Sequence, residues 1–225
     1  MKHIYHDKQA YYYACVRLDL VSLLPDNPAQ KVLEIGASGG YTLCYLKENN
    51  LAADVTGVDL FDMPETQQNS PLIDRFIRAN IESDALDLQP ESFDVILCGD
   101  VLEHLNDPWT VVSKLVGLLK PGGTMIISVP NIREAKTLAT IVFRADFRYD
   151  DHGTLDKTHL RFFCRKNAIE LVTTPNLKPI AYHSSLDVRP AGGKKLLLKR
   201  IFNFATLGLF KDFLTIQHLI VCKKN

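Results

Sequence analysis

The chain has 225 residues, of which 46% are hydrophobic and 23% are charged, so it has enough apolar material for one sizeable core. Its 26 Lys and Arg residues balance 26 Asp and Glu residues, so no net charge attracts a polyanion, and a nucleic-acid partner is disfavoured. Five scattered cysteines without a C-x-x-C pair argue against a disulfide framework and a thiolate zinc site. Neither an apolar signal core nor a run of roughly 20 apolar residues occurs, so we expect a soluble, cytoplasmic protein without a transmembrane segment.

Four short apolar runs recur through the first 130 residues, and each is followed by Gly, Asp or Pro. They are continuous and rich in Val and Ile, which is typical of strands that helices cover on both faces. The runs are 31–35, 54–58, 93–98 and 124–129. The clearest intervening helix starts at Asp107-Pro108, an N-cap followed by proline, and stops at a turn over 120–123. This alternation predicts an α/β fold with a doubly wound, mostly parallel sheet.

The later part of the chain follows a looser pattern. A third strand should end at Asn80-Ile81, and a helix and two late strands are predicted at 165–174, 180–187 and 218–222, giving a seven-stranded sheet whose last strand we expect to be antiparallel. Between the late strands, 194–214 is basic, apolar and helical in pattern. It could pack on the core, form a homodimer face or lie on a membrane surface. We expect a single domain, 1–225, in which 191–225 supplies a helix and a strand.

A glycine-rich turn follows the first strand and leads directly into a helix near Tyr41. Ligands of parallel sheets bind at such turns, where backbone approaches the ligand closely and the helix amino terminus favours an anionic group. The second strand ends at Asp59, 19 residues after Gly40, where an acid can accept hydrogen bonds from ribose hydroxyls. A dinucleotide fingerprint would need glycine where Ser38 and Tyr41 stand, so we expect a nucleoside ligand instead.

The sequence V-L-E-I-G-A-S-G-G-Y resembles the first motif of class I S-adenosylmethionine (SAM)-dependent methyltransferases, and G-V-D-L resembles their second. The likeness continues through F-D-V-I-L-C-G-D-V-L-E-H-L and L-L-K-P-G-G-T-M-I-I-S-V-P-N. Further on, L-D-K-T-H-L-R-F-F is similar to a segment of bacterial small-molecule methyltransferases associated with quinones and surface glycans. The resemblance covers roughly residues 17–174 and implies a Rossmann-like methyltransferase fold with SAM as cofactor.

The resemblance also implies roles for individual residues. The expected cofactor-binding residues are Glu34, Gly36, Ala37, Ser38 and Gly40 on the methionine side, Asp59 at the ribose, Leu60, Asn80 and Ile81 around the adenine, and Gly99 and Asp100 beside the reacting methyl. Two positions depart from the family pattern. Ser38 replaces the usual central glycine, and Asn80 replaces the usual Asp, so its amide must present oxygen to adenine. Glu34 could alternatively do no more than tie down the loop amides.

Methyl transfer from a sulfonium is an in-line displacement, so positioning and exclusion of water supply most of the acceleration. A protein base is needed only when the acceptor carries a proton, as a hydroxyl does. We therefore name His159, His104 and Asp100 as catalytic candidates, with a structural or cofactor hydrogen bond as the alternative for each. His152, Asp156 and His159 lack the tight spacing of a metal site, so no metal is predicted.

The segment 132–163 mixes arginines, aspartates and aromatic residues after the last central strand, and loops in that position supply specificity. We expect it to be the acceptor lid, suited to a small-molecule or saccharide hydroxyl, although a solvated loop face is the alternative. Tyr11-Tyr12-Tyr13 with Arg17 could cap the pocket or pack on the sheet. A catalytically silent SAM-binding protein and an NAD-dependent oxidoreductase are the competing functions.

Overall fold

The computed structural model describes residues 15–63, 65–186 and 194–225, which build a seven-stranded sheet in the order β3-β2-β1-β4-β5-β7-β6. The strands are β1 (Lys31–Ile35), β2 (Asp54–Asp59), β3 (Arg75–Arg78), β4 (Phe93–Gly99), β5 (Leu119–Pro130), β6 (Leu177–Ser185) and β7 (Gln217–Lys224). Strands β1 to β5 pair in parallel, whereas β7 is antiparallel to both of its neighbours. The predicted doubly wound α/β architecture and the antiparallel last strand are confirmed.

The described helices lie where the chain crosses from one strand to the next. They are α1 (Leu18–Val21), α2 (Tyr41–Glu48), α3 (Pro108–Leu118), α4 (Ala135–Arg144), α5 (Arg165–Leu171), α6 (Lys194–Ala205) and α7 (Lys211–Leu214), with 3₁₀ turns at Gln67–Asn69 and Leu102–His104. Helix α3 begins as the sequence predicts, because the Asp107 side chain accepts a hydrogen bond from Thr110 N and Pro108 occupies the first turn.

Two elements differ from the sequence prediction. Helix α4 lies in the segment that sequence analysis left without regular structure, and Glu134 caps it by accepting a hydrogen bond from Thr137 N at 3.1 Å. The turn expected at 120–123 is part of β5, because Leu119 pairs with Phe93 and an irregularity follows before Thr124 pairs with Val95. A bulged pairing of this kind has no alternating apolar signature to mark it.

The core has two parts, one on each face of the sheet. Ile96 and Cys98 of β4 point into the part that α3 and α5 cover, whereas Val95 and Leu97 point into the part that α1 and α2 cover. All four side chains are fully buried. This two-sided burial explains why the central strands are continuous apolar runs in the sequence. Among the described helices, none is both long and apolar enough to cross a membrane.

The carboxyl ends of β1, β2, β4 and β5 share one edge of the sheet, and the antiparallel β7 begins at that edge, as the pairing of Pro130 with Gln217 shows. We call this the catalytic edge. Ligands of open parallel sheets bind there.

Candidate active site

The turn between β1 and α2 has three residues in the left-handed backbone region. Gly36 and Gly40 have φ of +70° and +78°, and Ser38 has φ of +52°. A Cβ at Gly36 would overlap Val101 Cγ2, and one at Gly40 would lie 2.8 Å from Ile73 Cδ1. The glycines are therefore required by both backbone conformation and packing. Ser38 adopts the same region with a side chain, which costs about 1–2 kcal/mol.

Asp59 joins the end of β2 to this turn. Its Oδ2 accepts a hydrogen bond from Ser38 N at 2.7 Å, and its Oδ1 accepts one from Phe61 N at 2.9 Å. Burial raises the pKa of the Asp59 carboxyl, although these backbone donors oppose the shift. Leu60 lies beside it with an exposed side chain. The structure thus brings together the turn and the acid that sequence analysis assigned to one nucleoside.

Gln68 is a residue of this site that sequence reasoning missed. Its side chain is buried, and its Nε2 donates to Ser38 O at 2.7 Å and to Phe61 O at 3.0 Å. Its Oε1 accepts from Met63 N at 2.9 Å. Gln68 therefore fixes the two loops on either side of Asp59. No motif marks it, because it lies in a short 3₁₀ turn and acts through contacts that only the folded chain creates.

Glu34 is a buried carboxyl group under the turn, with 4% of its surface exposed. Thr42 forms a side-chain hydrogen bond with it, but its Oε2 has no hydrogen-bond partner among the described residues. Burial raises the pKa of Glu34 to about 8, although Thr42 and Arg17 pull it down. A buried acceptor without a donor is costly, so this oxygen is suited to an incoming cationic group.

The Arg17 guanidinium binds three side chains at the catalytic edge, whereas sequence analysis considered only that Arg17 could help to cap the pocket. Its Nη1 donates to Asp100 Oδ2 at 3.1 Å, its Nη2 donates to Ser128 Oγ at 2.8 Å, and both Nε and Nη2 donate to Asp19. Burial alone would lower the pKa of Arg17, but Asp100 and Asp19 outweigh burial and raise it. A Cβ at Gly99 would lie 2.5 Å from Arg17 Nη1, so the glycine leaves room for the guanidinium. Tyr11-Tyr12-Tyr13 lie outside the described residues.

The Asp100 carboxylate is the main hydrogen-bond acceptor of the same network. It has φ of +55°, and its carboxylate accepts hydrogen bonds from Ser128 Oγ at 2.8 Å and from Gln217 Nε2 at 2.9 and 3.0 Å, besides Arg17. A carboxylate with this many donors is held firmly in one position. Of the two roles that sequence analysis left open for Asp100, the geometry favours hydrogen bonding over proton abstraction.

Asn80 and Ile81 lie just beyond β3. The Asn80 Oδ1 that adenine would require accepts a hydrogen bond from Glu82 N at 2.9 Å, and Asn80 N donates to Asp84 Oδ2 at 2.8 Å. Ile81 is buried in the core part that α3 covers. Asn80 therefore stabilises its own turn in this structure.

A second polar cluster lies three residues beyond Asp100. Glu103, His104 and His159 place their ligand atoms within 4.8 Å of one another, and the two imidazole rings meet edge to face with centroids 4.7 Å apart. His104 Nδ1 lies 3.1 Å from Thr158 O, and His159 Nδ1 lies 3.0 Å from Thr154 O. Because a carbonyl only accepts, each Nδ1 carries a proton, which leaves Nε2 as the nitrogen that can accept one.

Glu103 is the member of this cluster that sequence analysis did not single out. It is 1% exposed, and neither carboxylate oxygen has a hydrogen-bond partner among the described residues. Burial raises the pKa of Glu103 well above its usual range, and the nearby Asp100 raises it further. One carboxyl and two imidazoles form a set that can exchange protons or hold a divalent cation. In the same segment, Asp156 Oδ1 accepts hydrogen bonds from Thr158 N and Oγ1.

The geometry at the catalytic edge therefore defines a nucleoside-binding α/β protein with a buried acid–base cluster beside the site. A family model described as a methyltransferase domain matches residues 33–127. The chain is 34% identical over 140 residues to a ubiquinone biosynthesis O-methyltransferase of Xanthomonas campestris pv. campestris, covering 59% of this chain and 56% of that protein. It is 31% identical over 178 residues to a protein of the same name from Albidiferax ferrireducens, covering 72% of this chain and 69% of that protein.

Among solved structures, Burkholderia thailandensis 1,6-didemethyltoxoflavin-N1-methyltransferase, with 1,6-didemethyltoxoflavin and S-adenosylhomocysteine bound, aligns with a TM-score of 0.61 at 19% identity. The alignment covers 100% of this chain and 84% of that one. This likeness shows the fold, and the sequence matches show the family. The chain belongs to the class I SAM-dependent methyltransferases, and it spans 56% of the length of the Xanthomonas relative.

Proposed function

We propose that the protein transfers a methyl group from SAM to a hydroxyl oxygen of a small-molecule acceptor. The observation that carries the proposal is the contact between Asp59 and Ser38 N, which joins the ribose-binding acid to the glycine-rich turn. The cluster of Glu103, His104 and His159 begins three residues after Asp100 at the same edge. Cofactor groups and acid–base groups therefore lie side by side, as group transfer requires.

The cofactor roles follow from hydrogen-bonding capacity. Each Asp59 oxygen uses one lone pair on a backbone amide and retains capacity to accept from a ribose hydroxyl. The unpartnered Glu34 Oε2 suits the ammonium of the methionine moiety, and the Arg17 guanidinium suits its carboxylate. SAM would supply an electrophilic methyl group at this site, and these residues would orient it.

The acceptor hydroxyl must lose its proton as the oxygen attacks the methyl carbon. We assign this proton to the Nε2 of His159 or His104, because each ring is held by its Nδ1 on a backbone carbonyl. The buried carboxyl group of Glu103 lies beside both rings and can exchange protons with them. The ubiquinone biosynthesis O-methyltransferase names of the sequence relatives support oxygen as the methylated atom.

We further propose that 132–163 is the acceptor lid. The segment follows β5 at the catalytic edge, and Leu160 N and Arg161 N both donate to Glu103 O, so its end is attached to the acid–base cluster. Phe147 contacts Tyr149 and Phe162 edge to face at 5.6 and 5.7 Å between centroids. This aromatic group suits a hydroxylated ring, including a saccharide.

The cellular setting is also proposed here. The cytoplasm is supported as the location by five cysteines scattered through the sequence without a C-x-x-C pair. The homodimer that sequence analysis considered through the C-terminal segment stays a prediction.

Calorimetry with S-adenosylhomocysteine tests the cofactor site. We expect Asp59→Ala to abolish measurable binding, because both loop contacts and the ribose acceptor are lost. Asp54→Ala is the matched control, since Asp54 lies at the opposite end of the same strand in a 3.9 Å ion pair with Lys31. Equal affinity in wild type and Asp59→Ala would disprove the site assignment.

Turnover of methyl-labelled SAM tests the activity. A panel of catechols, phenols and saccharides, each assayed with and without a chelator and added Mg²⁺ or Zn²⁺, would identify the acceptor class and any metal requirement of the Glu103 cluster. Cofactor binding without methylation of any acceptor would favour the silent SAM-binding alternative.

A further inference from the structure

The end of α6 and the turn that follows it carry a cluster of exposed apolar side chains, which we call the apolar tip. Its members are Ile201, Phe204, Leu207, Leu209 and Phe210. Phe204, Leu207 and Leu209 have 84%, 90% and 81% of their surface exposed. Single exposed apolar side chains are common, but a contiguous group is typical of an interaction surface. Of the three uses that sequence analysis considered for this segment, packing of these side chains on the core is contradicted by their exposure.

The backbone of the apolar tip forms a hydrogen-bonded turn. Gly208 N donates to Asn203 O at 2.8 Å, and Leu209 N donates to Thr206 O at 3.0 Å, so α6 ends in a closed, hydrogen-bonded reversal. Leu207 has φ of +50°, a left-handed conformation that costs about 1–2 kcal/mol for a residue with a side chain. The backbone therefore presents these side chains outward, and an external apolar phase would offset the cost.

The charge around the apolar tip indicates which kind of surface the tip binds. The chain as a whole has no net charge, but 194–214 contains five basic residues and one acid, Asp212. Arg200 and Lys211 are exposed and flank the tip on both sides. A symmetric dimer through this surface would place the same basic segments against each other, which is unfavourable. An anionic lipid surface is complementary to it.

The apolar tip is attached to the catalytic edge. Asn131 Nδ2, just after β5, donates to Asp212 O at 2.7 Å and to Thr215 O at 2.9 Å. Gln217, at the start of β7, binds Asp100. We propose that the apolar tip is a membrane-docking surface, which enters the headgroup region of an anionic bilayer while Arg200 and Lys211 contact lipid phosphates. The inference is independent of SAM and of the acceptor.

Vesicle co-sedimentation of the full chain tests the proposal directly. We expect the protein to sediment with vesicles of phosphatidylcholine and phosphatidylglycerol at 3:1, less with phosphatidylcholine alone, and less at high salt. Leu207→Ser/Leu209→Ser should weaken binding about tenfold or more. Ile180→Ser is the matched control, because Ile180 is exposed on β6 toward the opposite edge and should leave binding unchanged.

The charge contribution is tested separately. Arg200→Glu/Lys211→Glu should abolish the preference for anionic vesicles, whereas Lys178→Glu, an exposed lysine near Ile180 on β6, should keep it. Circular dichroism and S-adenosylhomocysteine affinity of every variant should match wild type, which separates loss of docking from misfolding and from failure of the cofactor site.

Two results would overturn the proposal. The first is the absence of sedimentation with anionic vesicles, or equal sedimentation of wild type and Leu207→Ser/Leu209→Ser. The second is a wild-type dimer in light scattering that this double variant converts to a monomer, because the surface would then join two copies of the chain.

Discussion

Glu34 and Glu103 are two buried carboxyl groups at the catalytic edge, and each has oxygen without a hydrogen-bond partner among the described residues. Buried polar groups normally find partners, so two such groups beside one crevice mark a site arranged for ligands and not for stability alone.

The raised pKa of Glu34 makes stability depend on pH. The folded pKa is about 8 and the ordinary value is 4.5, so between these values the folded state binds more protons than the unfolded chain. The free energy of unfolding therefore falls as pH rises through this window, by up to about 1.4 kcal/mol per pH unit. Denaturation by urea from pH 5 to 9 should show a shallower decline in Glu34→Gln than in wild type. If the free energy of unfolding fell equally with pH in both proteins, Glu34 would not have a raised pKa.

His159→Gln tests the proton acceptor. Loss of a general base commonly lowers kcat by about 10²–10⁴, and we expect that range with unchanged S-adenosylhomocysteine affinity. His152→Gln is the control, because His152 is exposed in the same segment. If His159→Gln kept the same kcat as His152→Gln and wild type, His159 would not be the proton acceptor.

The site could be predicted from the sequence only where its residues belong to motifs at the ends of consecutive strands. The turn and Asp59 were identified because they follow consecutive strands at a fixed spacing. The contact of Arg17 with Asp100 could not be predicted, because it joins positions 83 residues apart. Gln68 could not be predicted either, because its contacts depend on how the loops fold over the edge. Glu103 was part of a quoted motif, but its burial is visible only in the fold.

At the scale of elements, the turn after β1 depends on its contact with the segment after β4. Gly36→Ala should destabilise the protein and lose cofactor affinity, because the methyl group would meet Val101 Cγ2 and the backbone would stay left-handed. Adding Val101→Ala should restore part of the stability, since it removes the overlap and leaves the backbone cost. Thermal melts and calorimetry measure both effects.

Gly117→Ala supplies the matched control for that substitution. Gly117 lies inside α3, and a Cβ there would meet nothing within 4 Å. We expect a gain of about 0.5–1 kcal/mol, because alanine is the better helix former. A loss similar to that of Gly36→Ala would mean that the Gly36 result reflects a general intolerance of alanine.

The elements themselves were predictable to different degrees. Buried parallel strands and the capped helix α3 carry strong local signals, and they begin and end within a few residues of expectation. Helix α4 was missed, and apolar residues at its end, such as Phe143, are exposed and do not pack on the core. The segment 194–214 was expected to be helical, and it is interrupted by the apolar tip, where Gly208 ends the pattern.

At the scale of the whole molecule, the proposed cofactor site lies at the catalytic edge, where the central strands of the sheet end. Ligand binding there should therefore stabilise the entire fold. S-adenosylhomocysteine at 100 times its dissociation constant should add about 2.7 kcal/mol to the free energy of unfolding. Differential scanning fluorimetry should show a rise in melting temperature that grows with ligand concentration, and no rise with NAD. A shift with NAD alone would revive the oxidoreductase alternative.

The position of β7 has a consequence for how the chain is made. It is the seventh strand in the sequence, yet it lies between β5 and β6 and pairs with both. On the ribosome, the strand 177–185 emerges first and finds no neighbour until 217–224 follows. Until β7 pairs, the chain therefore carries two unsatisfied strand edges at once, on β5 and on β6, and this stage of folding is the one most exposed to aggregation.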